Sequence, residues 1–250
     1  MTEPGSITVV PSVHFSRTHH GRVREAIRDE APDVVAVELG ETRYDRLDRD
    51  EDRSMRSFLD ELSGPTAAAY SILQALQRTV VNLYGMDPTR TDMETAIETA
   101  AELDLEVALI DDPIERTLEG LVGSVGPFTV PRAFVTSATM TPAERLEQLE
   151  ALRLPFEEIE HGDDVEPVVR NLRRLFPELA SVLVDRRDEA MARRLHALRS
   201  EGLDVVAIVG AAHHNGIEAE LAALEEADAE PVASVPVRTP SVSVTRIQIS

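Results

Sequence analysis

Histidines follow two apolar runs that lie almost two hundred residues apart in the chain. His14 comes after ITVV at 7–10, and His213 follows DVVAIVG at 204–210. A carboxylate, Glu38, lies near the end of a third run, VVAVEL at 34–39. Two imidazoles and one carboxylate can bind a divalent metal ion and leave a coordination position open for water or substrate. We therefore predict that His14, Glu38 and His213 are metal ligands.

The elements that would position these residues are short apolar strands separated by helices. The candidate strands are 7–11, 34–39, 105–110 and 204–209, and an amphipathic helix is predicted from Arg17 to Glu30. Continuous β-branched runs are typical of strands that are buried on both faces of a parallel sheet. The pattern predicts an α/β fold with three layers, in which a mostly parallel β-sheet is flanked by helices.

The same pattern predicts one domain, residues 1–250, with helical segments 53–103 and 141–200 inserted between core strands. Within these segments, helices are expected at 53–63, 66–84, 91–103, 164–176 and 177–200. A capping box at Thr141 starts another helix, and a further one is expected at 217–227. The Gly- and Pro-rich stretch 120–140 is expected to be irregular with one strand, and the tail 231–250 to form an edge strand pair.

In open α/β sheets, ligands bind outside the carboxyl ends of the strands. Asp111 and Asp112 follow the third strand, so four strand ends carry ionisable groups at one edge. Glu41 and Asp111 are the candidates for a general base. Arg43 or Arg187 could stabilise an oxyanion or anchor a substrate carboxylate. Arg187 interrupts an apolar helical stripe, so its charge requires a carboxylate or a ligand.

Each of these residues also has an explanation that requires no ligand. A histidine after a strand can be a capping or solvated group, and Glu38 could pair with Arg43. Asp111 and Asp112 could cap the helix expected from Pro113. Arg187 could extend past a thin apolar stripe to water. Four other histidines are expected at the surface, namely His19, His20, His161 and His196, and His214 is expected to face away from His213.

The composition excludes several classes of partner. The formal net charge is −21, and the 25 basic residues are all arginine. Such a chain is repelled by nucleic acid and by anionic membranes. Surplus acid without lysine is typical of proteins adapted to high salt, and a GC-rich genome is the alternative explanation for the absence of lysine. The chain has no cysteine, which excludes disulfides and thiolate metal sites. It shows no signal peptide and no apolar stretch of about 18 residues, so a soluble, cytoplasmic protein is expected.

The ordered segments of the chain resemble the TraB family, which groups with the PrgY, GumN and Tiki proteins and more remotely with ChaN-like proteins. The matching segments are SVHFS at 12–16, PDVVAVELGETRYDRL at 32–47, GMDPTRTDMETAIETAAELDLEVALIDDPIERTL at 85–118, RRDEAMA at 186–192 and VGAAHHNGI at 209–217. The composition suggests a haloarchaeal member. Archaeal members commonly continue into a membrane-spanning region, which is not seen in this chain.

The resemblance implies an active site of two G-x-x-H motifs and a glutamate after the second strand. Tiki-branch members are metal-dependent peptidases that favour manganese or cobalt, and related bacterial proteins reduce peptide pheromone activity. The second motif is intact as Gly210-Ala211-Ala212-His213, and the glutamate corresponds to Glu38. The first motif has Pro11 in place of glycine and keeps His14. The family's Asp-Arg-Asp after the third strand is reduced to Asp111.

These observations predict a metal-dependent hydrolase with manganese, cobalt or zinc, acting on a small peptide or another small molecule. The alternative is an inactive module on the same fold that binds haem or a signalling peptide. A third hypothesis is an interaction protein whose clustered charges form only a buried salt-bridge network. Homodimer formation is left open by the sequence.

Overall fold

The computed structural model describes residues 3–13, 16–48, 91–124, 128–151, 158–232 and 234–240. Within them, five strands form one sheet: β1 (Ile7–Ser12), β2 (Val34–Val37), β3 (Glu106–Leu109), β4 (Val205–Gly210) and β5 (Val237–Arg238). Their order across the sheet is β1-β4-β2-β3-β5. The pairs β1–β4, β4–β2 and β2–β3 are parallel, and β5 is antiparallel to β3. The predicted α/β fold with a mostly parallel sheet is confirmed.

Helices connect and flank these strands. They are α1 (Arg17–Glu30), α2 (Glu41–Asp48), α3 (Asp92–Glu102), α4 (Ile114–Ser124), α5 (Thr129–Ala138), α6 (Pro142–Ala151), α7 (Gly162–Leu175), α8 (Pro177–Ala180), α9 (Arg186–Ser200) and α10 (Ala211–Glu226). A π-helix, Ser181–Asp185, joins α8 to α9 without a gap, so the stretch predicted over 177–200 is helical but is not α-helix throughout. The predicted helices at 53–63 and 66–84 lie outside the described residues, as do residues 241–250 of the predicted edge pair.

The core forms two apolar layers because the side chains of buried strands alternate between the faces of the sheet. Val35, Val107 and Val206 face α1 and α3, where they pack with residues such as Ile27 and Met93. The neighbouring positions on the strands face α9 and α10 on the opposite side. They include Val34, Ala108, Val205 and Ala207, with Met191, Leu195 and Ile217 from the helices. The sheet is therefore the middle of three layers.

The prediction of an irregular stretch with a strand at 120–140 was wrong, because this region contains the end of α4 and all of α5. Gly120 lies within α4, where an added Cβ would be 2.9 Å from Cγ1 of Val182. Its small size therefore allows α4 to approach the π-helix closely. Pro131 falls in the first turn of α5, where a missing N–H breaks no helical hydrogen bond. Glycine and proline here serve helix packing and helix initiation.

The capping box predicted at Thr141 is present. The backbone N–H of Thr141 donates to Glu144 Oε2 at 2.6 Å, and the Glu144 N–H donates to Thr141 Oγ1 at 3.3 Å. The backbone bond from Thr141 has the largest effect in lowering the pKa of the Glu144 carboxyl to about 2, and the bonds from the Thr141 hydroxyl and Arg174 add to it. The helix α6 therefore starts where the local sequence pattern places it.

Pro11 lies inside β1, with Val209 of β4 as its register partner, and Ser12 pairs with Gly210. The strand β1 is at the edge of the sheet, where a proline without an N–H donor is tolerated. Among the described residues, positive φ angles are found elsewhere, at Ala31, Asp104, Asp228 and Gly202. The backbone at position 11 therefore requires no glycine.

No helix in the described part of the chain is long and apolar enough to cross a membrane.

Candidate functional site

The junction between β4 and α10 presents His213 to the carboxyl edge of the sheet. The helix begins at Ala211, directly after the strand, and not at the predicted residue 217. Gly210 makes no side-chain cap, so the usual sequence signal of a helix start is missing there. His213 is 6% exposed and turns into the protein. The side chain of His214 instead lies near Glu218 on the same helix, at 3.7 Å.

Glu38 follows β2 and is held by the end of β4. Its side chain is buried, and its Oε2 accepts a hydrogen bond from the backbone N–H of Gly210 at 2.6 Å. The other oxygen, Oε1, lies 3.3 Å from Nε2 of His213. Because β2 and β4 are parallel neighbours, their carboxyl ends meet at one edge. The order of the strands therefore brings two of the three predicted metal ligands together.

Arg187 joins the carboxylates at this edge. Its Nε and Nη2 donate to the two oxygens of Asp111 at 3.1 and 2.9 Å, and Nη2 also donates to Glu38 Oε1. Its Nη1 lies 3.3 Å from the carbonyl oxygen of Leu183 and 3.1 Å from His213 Nε2. Leu183 belongs to the π-helix, an irregular helical turn of the kind that is often found at functional sites. Among the described residues, Glu38 therefore forms its ion pair with Arg187, whereas Arg43, the partner in the alternative interpretation, lies near Asp111.

Glu38, Asp111, Arg187, Asp188 and His213 form a cluster of ionisable side chains at this edge of the sheet. Their charges depend on one another. Burial alone would lower the pKa of the Arg187 guanidinium, but the adjacent Glu38 and Asp111 carboxylates raise it above its ordinary value. The guanidinium therefore stays protonated. Burial raises the pKa of Asp188, and its hydrogen bond with His213 only partly counteracts this.

Asp188 orients the imidazole of His213. Its Oδ1 lies 2.5 Å from His213 Nδ1, and both side chains are buried. A proton on Nδ1 donates to the carboxylate and leaves the Nε2 lone pair facing Glu38 and Arg187. Metal-binding histidines commonly have such a carboxylate partner. Gly216 gives Asp188 its space, since an added Cβ there would lie 1.9 Å from Asp188 Oδ2.

Sequence reasoning did not identify Asp188, although a signal was present. The buried residues Met191, Leu195 and Leu198 of α9 are spaced three and four apart. Extending this spacing three residues toward the N-terminus leads to Asp188, which is 2% exposed. A carboxylate on the buried stripe of a helix requires a partner, and here the partner is His213.

Asp92 is a second buried carboxylate that the sequence analysis did not single out. It lies in the first turn of α3, is fully buried, and accepts a hydrogen bond from the Ser12 hydroxyl at the end of β1. The capping of α3 is already provided by Thr91 and Glu94. Asp92 is therefore not needed as a cap, and it fixes the carboxyl end of β1 beside Gly210.

The other predicted residues differ in how they relate to this cluster. Asp111 is at its centre, and Arg43 Nη1 lies 3.7 Å from Asp111 Oδ2. Glu41 pairs with Arg238 of β5 at 2.8 Å, and no contact of the described residues joins it to the cluster. His14 lies outside the described residues.

The surface location predicted for the remaining histidines was confirmed only for His161. His19 and His20 are buried in α1. His196 is half-buried, and its Nε2 lies 3.0 Å from the carbonyl oxygen of Ala229. The charged neighbours of these histidines in the sequence therefore misled the prediction.

The donor atoms of His213 and Glu38 fit two positions around one metal ion. Two ligands bound tetrahedrally at about 2.0–2.1 Å lie about 3.4 Å apart, close to the 3.3 Å between His213 Nε2 and Glu38 Oε1. The Nδ1 contact with Asp188 adds the expected outer partner. Among the described residues, no group of three or more possible ligands is arranged to hold a metal ion. The fit therefore covers two of the three predicted ligands.

Comparison with known proteins identifies the family. The profile of the TraB/PrgY/gumN family matches residues 2–232. An uncharacterized protein of Methanocaldococcus jannaschii, MJ1365, is 30% identical over 230 residues, which are 88% of this chain and 54% of that protein. The chain thus spans about half the length of this archaeal relative. On the match over nearly its whole length, the chain belongs to the TraB/PrgY/gumN family.

Proposed function

We propose that this protein is a divalent-metal-dependent hydrolase that acts on peptides, with His14, Glu38 and His213 as ligands of manganese, cobalt or zinc. The observation that carries the proposal is the geometry of His213. Its Nε2 lies 3.3 Å from Glu38 Oε1, while its Nδ1 lies 2.5 Å from a buried carboxylate of Asp188. Imidazole and carboxylate are ligands of such ions in hydrolytic sites.

Glu38 and His213 are both held in place before any ligand binds. Gly210 N–H fixes Glu38 Oε2 at 2.6 Å, so that Oε1 is directed toward the imidazole. Asp188 fixes the tautomer and the ring orientation of His213. When bound by these groups, a divalent ion would lower the pKa of its water toward about 7 and polarise the scissile carbonyl. The protein thus contributes two preorganised donors, and the prediction that His14 is the third remains part of the proposal.

Arg187 and Asp111 would assist at this site in different ways. The guanidinium of Arg187 stays protonated and lies against both Glu38 and His213. It could therefore stabilise negative charge that develops on a substrate oxygen. Asp111 supports the role of general base better than Glu41, because Asp111 lies within the cluster while Glu41 is half-exposed and pairs with Arg238.

Metal content would test the proposal. The full chain is purified without chelator in high salt, and bound metal is measured by mass spectrometry before and after incubation with manganese, cobalt or zinc. We expect about one equivalent in the parent and a large loss in His213→Ala and in His14→Ala. His196→Ala is the matched control, because the hydrogen bond of this imidazole among the described residues goes to the Ala229 carbonyl, so the variant should leave metal content unchanged. If the parent protein binds no metal under any of these conditions, the proposed hydrolase function is wrong.

The contacts of Arg187 favour a second candidate, the inactive module that binds a peptide or haem. Its guanidinium bonds to both Glu38 Oε1 and His213 Nε2, so a permanent ion-pair network could take the place of a metal. In that case the parent would bind a ligand but retain no divalent ion. A Soret absorbance band would identify haem, and binding of a short peptide in the presence of chelator would identify the peptide module.

A further inference from the structure

Arg43 presents a guanidinium at the rim of the cluster with hydrogen-bonding capacity left over. It lies in the first turns of α2, where its backbone N–H bonds to Gly40 O at 3.0 Å. Its side chain is 37% exposed. Among the described residues, its ion-pair contact is with Asp111, and the 3.7 Å from Nη1 to Oδ2 is too long for a hydrogen bond. Arg43 is therefore held near the cluster by charge, and its guanidinium forms no hydrogen bond to the described residues.

Asp111 cannot satisfy Arg43, because Arg187 already occupies it. Nε of Arg187 donates to Oδ1 and Nη2 donates to Oδ2 of Asp111, at 3.1 and 2.9 Å. This is the two-pronged geometry that an arginine forms with a single carboxylate. Arg43 approaches the same Oδ2 from further away. The two arginines thus divide the roles that the sequence left open, with Arg187 held among the carboxylates beside His213 and Arg43 available to a carboxylate of the substrate.

The long contact of Arg43 differs from several ion pairs of this chain. The sequence has 46 acidic and 25 basic residues, so carboxylates are plentiful. Several other arginines of the described part pair more closely, for example Arg28 with Glu102 at 2.9 Å and Arg194 with Asp112 at 2.7 Å. An arginine that lies beside buried carboxylates and still keeps free donors is suited to bind an additional carboxylate.

We infer that Arg43 binds a carboxylate of the substrate and so selects peptides that carry one next to the reacting bond. The carboxylate is either the C-terminus of the peptide or the side chain of an aspartate or glutamate. This inference rests on the proposed function, because it places the substrate beside Glu38 and His213. It does not depend on turnover, since a carboxylate can bind to Arg43 whether or not the peptide is hydrolysed.

Binding of matched peptides to the full chain tests the inference. The probes are N-acetyl-trialanine as the free acid, the same peptide as its C-terminal amide, and an amidated N-acetyl-Ala-Ala-Asp. Affinities are measured by calorimetry at one fixed ionic strength, with and without chelator. We expect at least one of the two carboxylate-bearing peptides to bind about tenfold more tightly than the neutral amide. Preference for the free acid identifies the C-terminus, and preference for the aspartyl peptide identifies the side chain.

Substitutions connect the preference to Arg43. Arg43→Gln should bind all three peptides alike, and Arg43→Lys should restore part of the preference because it keeps the charge. Arg116→Gln is the matched control, because this arginine also lies close to the site but is 73% exposed and bonds to Asp112. The control should keep the full preference.

Two outcomes would overturn the inference. One is equal affinity of the parent for all three peptides, including no measurable binding of any peptide at millimolar concentration. The other is a carboxylate preference that survives in Arg43→Gln. Failure of the proposed hydrolase function gives a different result. The preference for carboxylate-bearing peptides would then be present, but the protein would hold no metal and would cleave none of the peptides.

Discussion

Nδ1 of His213 lies 2.5 Å from Oδ1 of Asp188, and Nε2 of the same ring lies 3.3 Å from Oε1 of Glu38. The imidazole thus bridges two buried carboxylates, one on α9 and one after β2. A ring held in this way has a fixed tautomer and little rotational freedom. The conformational entropy of the His213 side chain is therefore already lost when the protein folds. Less entropy is lost when a ligand binds, which favours tight binding at Nε2.

The first prediction concerns the outer partner of this histidine. Asp188→Asn keeps the shape of the side chain but replaces the carboxylate that accepts the hydrogen bond from Nδ1–H of His213. We expect metal affinity to fall by about 10- to 100-fold, as is usual when an outer-shell carboxylate is removed. Calorimetric titration with manganese measures the change, and circular dichroism checks that the fold is retained. Unchanged affinity in a folded variant would show that Asp188 does not tune the site.

The second prediction tests the contact between Asp188 and His213 by a substitution at Gly216. In Gly216→Ala the new methyl group would lie 1.9 Å from Asp188 Oδ2, so the carboxylate must move away from its place beside His213. We expect a loss of metal affinity similar to that in Asp188→Asn. Gly21→Ala is the matched control, because an added Cβ there meets no atom within 4 Å. It should leave metal affinity unchanged and stabilise α1 by about 0.5–1 kcal/mol.

The cluster could be predicted from the sequence because its members come from strand ends. Glu38, Asp111 and His213 each follow an apolar run, and parallel strands place such residues at one edge. Arg187 could be predicted from the apolar stripe that it interrupts. The order of the strands was not readable, because residues far apart in the sequence become neighbours in the sheet. Glu41 illustrates this limit. It follows the same strand as Glu38, but it pairs with Arg238 of β5 and not with the residues around His213.

Residues on helices were harder to predict than residues at strand ends. Asp188 stands in a run of charged residues, and the signal that it faces inward is the spacing of the buried apolar residues that follow it in the helix. The helix at 211–226 was expected to start late, because its first turn has no capping residue. The stretch at 120–140 was wrongly expected to be irregular, because Gly120 and Pro131 have roles that depend on packing and on position in a helix turn. Such roles are set by neighbouring elements and not by local sequence.

The third prediction is a pH dependence at Asp112, which connects β3 to α9. Burial alone would raise its pKa, but the hydrogen bond from Arg194 and the charges of Arg194 and Arg116 hold it below the ordinary 3.8. A carboxyl with a lowered pKa stabilises the fold above the pKa of the unfolded chain, and this stability is lost as the pH falls through the folded value. Asp112→Asn should therefore be less stable than the parent at pH 7, by about 1 kcal/mol for a partly exposed pair.

The difference between Asp112→Asn and the parent should shrink as the pH falls below about 4. Urea unfolding at neutral and acid pH measures it. Asp29→Asn on the exposed face of α1 serves as the control and should show no such trend. A difference that stays constant with pH would mean that the variant loses packing and not a charge interaction.

The fourth prediction concerns Arg187, whose guanidinium separates Glu38 from Asp111. In Arg187→Met the two buried carboxylates lose their shared cation and face each other. Removing one partner of a buried ion pair typically costs about 3–5 kcal/mol, and we expect a loss of that size in the free energy of unfolding by urea. The exposed Arg116→Gln should change stability by less than about 0.5 kcal/mol.

A double variant distinguishes lost charge pairing from lost packing at Arg187. If uncompensated carboxylates cause the instability, adding Asp111→Asn to Arg187→Met should recover part of the loss, so the two changes would not be additive. Strict additivity would mean that the guanidinium stabilises the fold through contacts other than Asp111, such as the Leu183 carbonyl. If Arg187→Met is as stable as the parent, the carboxylates must have taken up protons or another cation. Metal binding by that variant would then show whether a divalent ion replaces the guanidinium between Glu38 and His213.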